Sequence, residues 1–365
     1  MKYRIPIIIF LALIVSLACA PSIAAPTNVP PILTKPGEVE TRVAATMAPI
    51  NTQNAILAAT RQAELASSST PVTPSATPTA PPTETPVPTA TPLPLVPNFT
   101  YIVLVVFENK DFEAVIGQAS LPVINRLATD NVLLTESYAI MHPSLPNYLA
   151  LVGGETFNVK RNCDDCYQDA QSLPDLIEAG GRTWKAYIDG MSSPCQLGSS
   201  GSYIQSRNPF VFFNPIRTNA DRCERSDVPL SRLDSDIKAG TLPNFSFIVP
   251  SLCNAGQDCP VETSDAWLAG LTDVLLPALD ASHQPYLVIL TWDEGQGDES
   301  CCGLPFEAGG HVPTILISPQ AKAGFRDDTP YTHYSILKTV SEAWGLAYLG
   351  QAAADENPLI VMPWK

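Results

Sequence analysis

Tyr101-Ile-Val-Leu-Val-Val-Phe107 is an unbroken apolar run rich in β-branched residues. A strand with one wet face alternates polar and apolar side chains, whereas an unbroken run fits a strand buried on both faces of a parallel sheet. Three further segments have this character: Phe245 to Val249, Tyr286 to Thr291 and Thr314 to Ser318. Helical patterns lie between them at Leu121 to Thr129, Leu145 to Val152, Leu173 to Ala179, Ala266 to Leu279 and Tyr334 to Trp344. This alternation predicts an α/β fold, a doubly wound and mostly parallel sheet with helices on both faces. Ligands of such sheets bind at the carboxyl ends of the strands.

The residues at those ends carry oxygen. The first strand runs out into Glu108-Asn109, and the third through Trp292 into Asp293-Glu294-Gly295. Carboxylates and amide carbonyls suit a hard divalent cation such as Mg, Mn or Ca, while the same residues also serve as solvated turns. In Met141-His142-Pro-Ser144-Leu-Pro146-Asn147-Tyr148, a serine stands between prolines ahead of a helical run. Ser144 reads either as a helix cap or as a nucleophile at a helix start, where unpaired N–H groups and the helix dipole favour anions. With a cation on Glu108, Asn109, Asp293 and Glu294, the expected chemistry is metal-assisted phosphoryl transfer onto Ser144. Asn147, one turn along, is a candidate donor to phosphate. Four histidines are available: His142 and His311 lie in or near these motifs, His333 precedes a helix, and His283 falls in an expected exposed loop.

Residues 1–20 have a positive start, an apolar middle and small residues at the exit, the pattern of a secretory signal. Ser16-Leu17-Ala18-Cys19 resembles a lipoprotein cleavage box, and a lipidated Cys19 would tether the protein to the outer face of a membrane. Cleavage near Ala20 to Ala25, with release, is the competing outcome. Residues 21–97 form an expected extracytoplasmic stalk, with a short helix at Asn51 to Leu65. Within it, residues 70–97 hold 10 prolines and 8 threonines, a linker that favours extended conformations of about 3 Å per residue. The folded domain is expected over 98–365. It carries 16 basic and 32 acidic side chains, which excludes a nucleic-acid surface. Besides Cys19 there are eight cysteines, all between Cys163 and Cys302, an even set that reads as disulfides in an oxidising compartment. Cys253–Cys259 and Cys195–Cys223 are the expected pairings, and disulfide is favoured over zinc for Cys163-x-x-Cys166.

Several motifs occur in one order: Phe107-Glu108-Asn109, His142-Pro-Ser144-Leu-Pro-Asn147-Tyr, Asn208-Pro-Phe210, Leu242-Pro-Asn244-Phe-Ser-Phe, Cys253-Asn254, Asp265-Ala-Trp267 and Thr291-Trp-Asp293-Glu294. Together they resemble the phosphoesterase family of bacterial acid phosphatases and phospholipases C, a branch of the alkaline phosphatase superfamily. The resemblance runs from Asn98 to the C-terminus. It implies an alkaline-phosphatase-like fold and a phosphate ester substrate. It also implies a divalent metal (Mg, Mn, Ca or Zn) held by Glu108, Asn109, Ser144, Asp293 and Glu294, with Ser144 forming a phosphoseryl intermediate. Relatives tend to carry histidines where this chain has Arg207 and Gln257. Arg207 can clamp phosphate but cannot act as an acid at neutral pH. Arg207, Gln257, Asn147 and His311 are therefore expected substrate contacts, with His142, Asp258 and Asp265 as further candidates. A phosphomonoesterase is the expected activity. The alternatives are a phospholipase C-type phosphodiesterase and a surface-tethered binding protein with weakened catalysis. A sulfatase would want arginine where Tyr148 stands.

Overall fold

The computed structural model describes residues 94–365. The leader, Cys19, the short helix at residues 51–65 and nearly all of the expected stalk lie outside the described residues. Packing begins at Val96 and Phe99, both buried.

Among the described residues ten strands form: β1 Tyr101–Phe107, β2 Val132–Leu134, β3 Ser137–Tyr138, β4 Trp184–Ile188, β5 Asp227–Pro229, β6 Phe245–Val249, β7 Tyr286–Trp292, β8 Thr314–Ile317, β9 Arg326–Asp327 and β10 Tyr331–Thr332. Eight make one sheet in the order β5-β4-β6-β1-β7-β8-β2-β9, and β3 pairs with β10 apart from it. β1 sits between β6 and β7, parallel to both. The longer helices are α1 Pro122–Asp130, α2 Ser144–Gly153, α3 Leu173–Ala179, α4 Ala220–Ser226, α5 Arg232–Ala239, α6 Val261–Ala281 and α7 His333–Ala343. The expected α/β doubly wound architecture is what forms.

Alternation along β1 divides the core. Ile102, Leu104 and Val106 face one cluster, shared with Leu145 and Leu149 of α2, Ile177 of α3 and Leu337 of α7. Val103, Val105 and Phe107 face the other, shared with Leu127 of α1, Leu233 of α5 and Leu275 of α6. Both faces of the strand are dry, so no polar residue interrupts its sequence. The sheet is mostly parallel, as expected, and the strand at Thr314–Ile317 is the exception, running antiparallel to β7 and to β2. Residues 293–313 contain no helix. The chain therefore turns back beside β7 instead of crossing over a face.

All eight cysteines after the leader pair: Cys163–Cys166, Cys195–Cys223, Cys253–Cys259 and the adjacent Cys301–Cys302. Both expected pairings form, and the C-x-x-C segment is a disulfide. No helix among the described residues is long and apolar enough to cross a membrane.

Candidate active site

β1 and β7 are aligned through Phe107 opposite Trp292, so Glu108-Asn109 and Asp293-Glu294 emerge side by side at the carboxyl ends. The Asp293 N–H donates to the Phe107 carbonyl at 2.9 Å. Asp293 Oδ1 in turn accepts from the backbone N–H of Asn109 at 3.1 Å and of Glu294 at 2.7 Å. Asn109 adopts φ 54°, a left-handed conformation that asparagine tolerates better than most residues.

Opposite these ends stands the start of α2. Ser144 is its first helical residue, Pro143 holds the cap position, and no side chain caps the helix. The Ser144 hydroxyl turns instead to the carboxylates, 3.0 Å from Glu294 Oε1 and 3.3 Å from Glu108 Oε2. Its single proton serves one of them at a time. The capping role is thus excluded by where the hydroxyl points. The helix start offers anions little, since the Leu145 N–H is taken by Asn162 Oδ1 at 3.0 Å and Pro146 has none.

Glu108 and Asp293 are fully buried, and Glu294 is nearly so. Burial, reinforced by the charge of Asp293, pushes the Glu108 carboxyl well above its ordinary range, although Arg207 opposes the shift. Asp293 is raised to about 7 by burial and then by Glu294. Burial also raises Glu294, against the opposing pull of His142. Arg207 Nη2 lies 2.9 Å from Glu108 Oε2, and its Nη1 is buried without a hydrogen-bond partner. His142 places Nδ1 2.5 Å from Glu294 Oε2 and Nε2 3.0 Å from the Gly297 carbonyl. Acceptors at both ring nitrogens call for the imidazolium. Burial opposes that charge, but the Gly297 carbonyl and Glu294 outweigh it and raise the pKa.

Of the sequence-expected residues, Glu108, Asn109, Ser144, Arg207, Asp293, Glu294 and His142 come together. Gln257 stands at the edge, its Oε1 accepting from Asn109 Nδ2 at 3.4 Å. Four others do not join them. Asn147 is no phosphate donor, because its Oδ1 accepts from the N–H groups of Ile140 and Met141 while its Nδ2 donates to the Met141 and Pro143 carbonyls. It braces the turn that presents Ser144. His311 is stacked between Phe112 and Tyr138 and bonded to the Thr135 carbonyl. Asp265 accepts from the N–H groups of Val123 and Ile124, and so caps α1. Asp258 is exposed, with no hydrogen bond or ion pair to the cluster among the described residues.

Sequence reasoning assigns no site role to three positioning residues. Tyr148 donates to Glu108 Oε1 at 2.7 Å; it lies four residues after Ser144, on the same helix face, and that spacing is a signal that could have found it. His333 is buried, with Nε2 2.7 Å from the Asp293 carbonyl. Burial lowers its pKa to about 4 against the pull of that carbonyl, so the ring is neutral and donates from Nε2. Asn162 reaches the site from a loop with no local signal.

The donor set fits a divalent cation. Three buried carboxylates face one buried cation, Arg207, with His142 and the partly exposed Lys110 at the edge, and Asp293 Oδ2 is buried with no hydrogen-bond partner. Such an excess of buried negative charge is costly unless it is neutralised. Among the described residues no three His, Cys, Asp or Glu side chains are already gathered as ligands about one point. The fit is therefore one of charge and donor chemistry.

A model of the phosphoesterase family matches residues 118–347. The chain is 30% identical over 264 residues to a phosphatidylinositol-3-phosphatase of Mycobacterium tuberculosis, covering 70% of this chain and 81% of that protein. It is 31% identical over 273 residues to an acid phosphatase of Aspergillus niger, covering 71% of this chain but only 62% of the fungal protein, less than two thirds of its length. Among solved structures, a Vibrio parahaemolyticus protein of the alkaline phosphatase superfamily superposes with TM-score 0.48 at 14% identity, covering 73% of this chain and 72% of that one.

Proposed function

The chain belongs to the phosphoesterase family, a family of phosphoric ester hydrolases, and on that premise we propose that it is an exported, cation-dependent phosphomonoesterase with Ser144 as nucleophile. The observation that carries this reading is the Ser144 hydroxyl, free of any capping role and 3.0 Å from Glu294 Oε1.

Ser144 Oγ attacks phosphorus as its proton passes to Glu294 Oε1. The P–O bond to the alcohol breaks, and the departing oxygen takes a proton from solvent. Water then attacks the phosphoserine, the P–O bond to Ser144 breaks as Oγ takes back the proton held by Glu294, and phosphate leaves carrying the water's oxygen. Arg207 Nη1, the unpartnered donor, supplies a hydrogen bond to a non-bridging oxygen. A divalent cation held by Glu108, Asn109, Asp293 and Glu294 would supply the positive charge that neutralises phosphate and favours the ionised serine. Tyr148 and His333 fix Glu108 and Asp293, while His142 holds Glu294.

Export is supported by the leader pattern at residues 1–20 and by the four disulfides, which persist in oxidising compartments. In this reading residues 21–97 are the stalk and 98–365 the catalytic domain. Mass spectrometry of the mature N-terminus distinguishes a lipid-bearing Cys19 from a released chain beginning beyond Ala20.

Hydrolysis of p-nitrophenyl phosphate by the full chain, with and without chelator and for Ser144→Ala, tests the chemistry. Loss of at least about 10³-fold is expected in the variant. Full activity in Ser144→Ala removes the nucleophile, and full activity after exhaustive metal removal removes the cation.

A further inference from the structure

Asp111 precedes a one-turn helix, Phe112–Val115, at the position from which aspartate commonly caps, yet its side chain makes no capping bond. It reaches across the chain instead. The N–H groups of Gln296 and Gly297 both donate to Asp111 Oδ1, at 2.6 and 3.0 Å. These two residues close the turn that leaves Glu294. The turn is fitted tightly on both sides: a Cβ at Gly295 would overlap Asp111 Oδ1, and a Cβ at Gly310 would stand 2.7 Å from the Gly297 carbonyl oxygen. Glycine at both positions is what lets the carboxylate and the turn approach each other.

The Gly297 carbonyl then links this turn to the acids. It bonds His142 Nε2 at 3.0 Å, while His142 Nδ1 lies 2.5 Å from Glu294 Oε2. Glu294 Oε1 is left for the Ser144 hydroxyl at 3.0 Å. A ring bonded at both nitrogens cannot turn about its Cβ–Cγ bond without losing a partner. Asp298 Oδ1 stands 3.9 Å from Nε2 on an exposed side chain, beyond hydrogen-bond reach, so it does not substitute for the Gly297 carbonyl.

We propose that Asp111 is a positioning residue for the proton acceptor of the reaction. By holding the turn at Gln296 and Gly297 it keeps the Gly297 carbonyl on His142, and through His142 it keeps Glu294 directed at Ser144. The proposal rests on the phosphomonoesterase reading above. Among the described residues Asp111 has no hydrogen bond to Ser144, Glu294 or Arg207, so its effect falls on the rate of transfer and not on phosphate binding.

The test is a double-mutant cycle in the full chain with a divalent cation present, read as kcat and KM for p-nitrophenyl phosphate. Asp111→Ala is expected to lower kcat about 5- to 10-fold while KM changes less than about 2-fold. Asp111→Asn keeps an oxygen where the two N–H groups converge, and should stay within about 2-fold of the wild type. His142→Ala has already lost the link, so adding Asp111→Ala to it should cost no more than about 2-fold further. Each kcat is referred to the folded fraction, measured by near-ultraviolet circular dichroism. Should Asp111→Ala fail to fold, Asp111→Ser, whose shorter side chain does not span to both N–H groups, takes its place in the cycle. Equal losses in the two backgrounds, wild-type kcat in Asp111→Ala, or a defect in Asp111→Asn as large as in Asp111→Ala overturns the proposal and leaves the Ser144 and cation assignments intact. Failure of the wild type to turn over p-nitrophenyl phosphate, or full activity in Ser144→Ala, removes the phosphomonoesterase reading and the proposal together.

Discussion

Glu108 is the most constrained residue of the site. Its two oxygens meet Tyr148, Arg207, Ser144 and Asn109 with no exposure to solvent. A carboxylate in that setting keeps its orientation only while each partner is present, because an unsatisfied buried acceptor costs about 1–3 kcal/mol. Tyr148→Phe removes the hydrogen bond to Oε1 and little else. We expect it to lower kcat by about tenfold or more and to destabilise the fold by about 1–3 kcal/mol, read by steady-state kinetics and a denaturant titration. Unchanged kcat would show that Tyr148 does not position Glu108. At this scale the sequence is informative about residue types but not about partners. Two acidic pairs after buried strands identify the carboxylates, yet the arginine beside Glu108 arrives from a 3-10 turn at Gln205–Arg207, a segment without regular periodicity.

The element that sets the site's geometry is α2 with the turn before it. All ten of its residues are buried, so its position is fixed by packing, and Asn147 locks the preceding turn by bonding the backbone of Ile140 and Met141. Asn147→Ala leaves two backbone donors unpaired, a cost of about 1–3 kcal/mol. The expected signature is a fall in kcat with KM for p-nitrophenyl phosphate little changed, since the side chain does not face phosphate; a rise in KM at constant kcat would contradict this and restore Asn147 as a phosphate contact. Central elements were the legible ones. β1, β6 and β7 are dry on both faces, and their sequences show it. β4 and β5 carry Lys185 and Asp227, which bond Asp236 and Asn208 respectively, and these polar residues break the apolar pattern. The antiparallel course of β8 was equally hidden, because direction depends on the connection at residues 293–313 and not on the strand's own residues.

For the molecule as a whole, buried acids set the response to pH. In chelated protein Asp293 and Asp227 are each held at about 7, chiefly by burial, and Glu108 and Glu294 are raised as well. The folded state therefore keeps protons that the unfolded chain releases near pH 4, and stability falls as pH climbs from about 4 through 7. His333 has the opposite sign: held neutral down to about 4 against an ordinary 6.5, it adds stability as pH rises over that interval, one group against four. The chelated protein should melt at a higher temperature near pH 5 than near pH 7.5, and excess divalent cation should flatten the difference. A melting temperature that climbs with pH in chelator would show that the carboxylates are compensated by some other means. Composition alone pointed to an acidic domain, but only the fold shows that Glu108, Asp227, Asp293 and Glu294 are buried where burial raises their pKa values.

Transfer of phosphorus to Ser144 is tested most directly by trapping it. Wild-type protein is mixed with excess p-nitrophenyl phosphate at acid pH, quenched in acid within the first turnovers and digested, and the peptide carrying Ser144 is sequenced by mass spectrometry. Phosphate on Ser144, absent from Ser144→Ala treated in the same way, is the predicted result. Phosphate on another residue, or turnover by the Ser144→Ala protein at the wild-type rate, would contradict it.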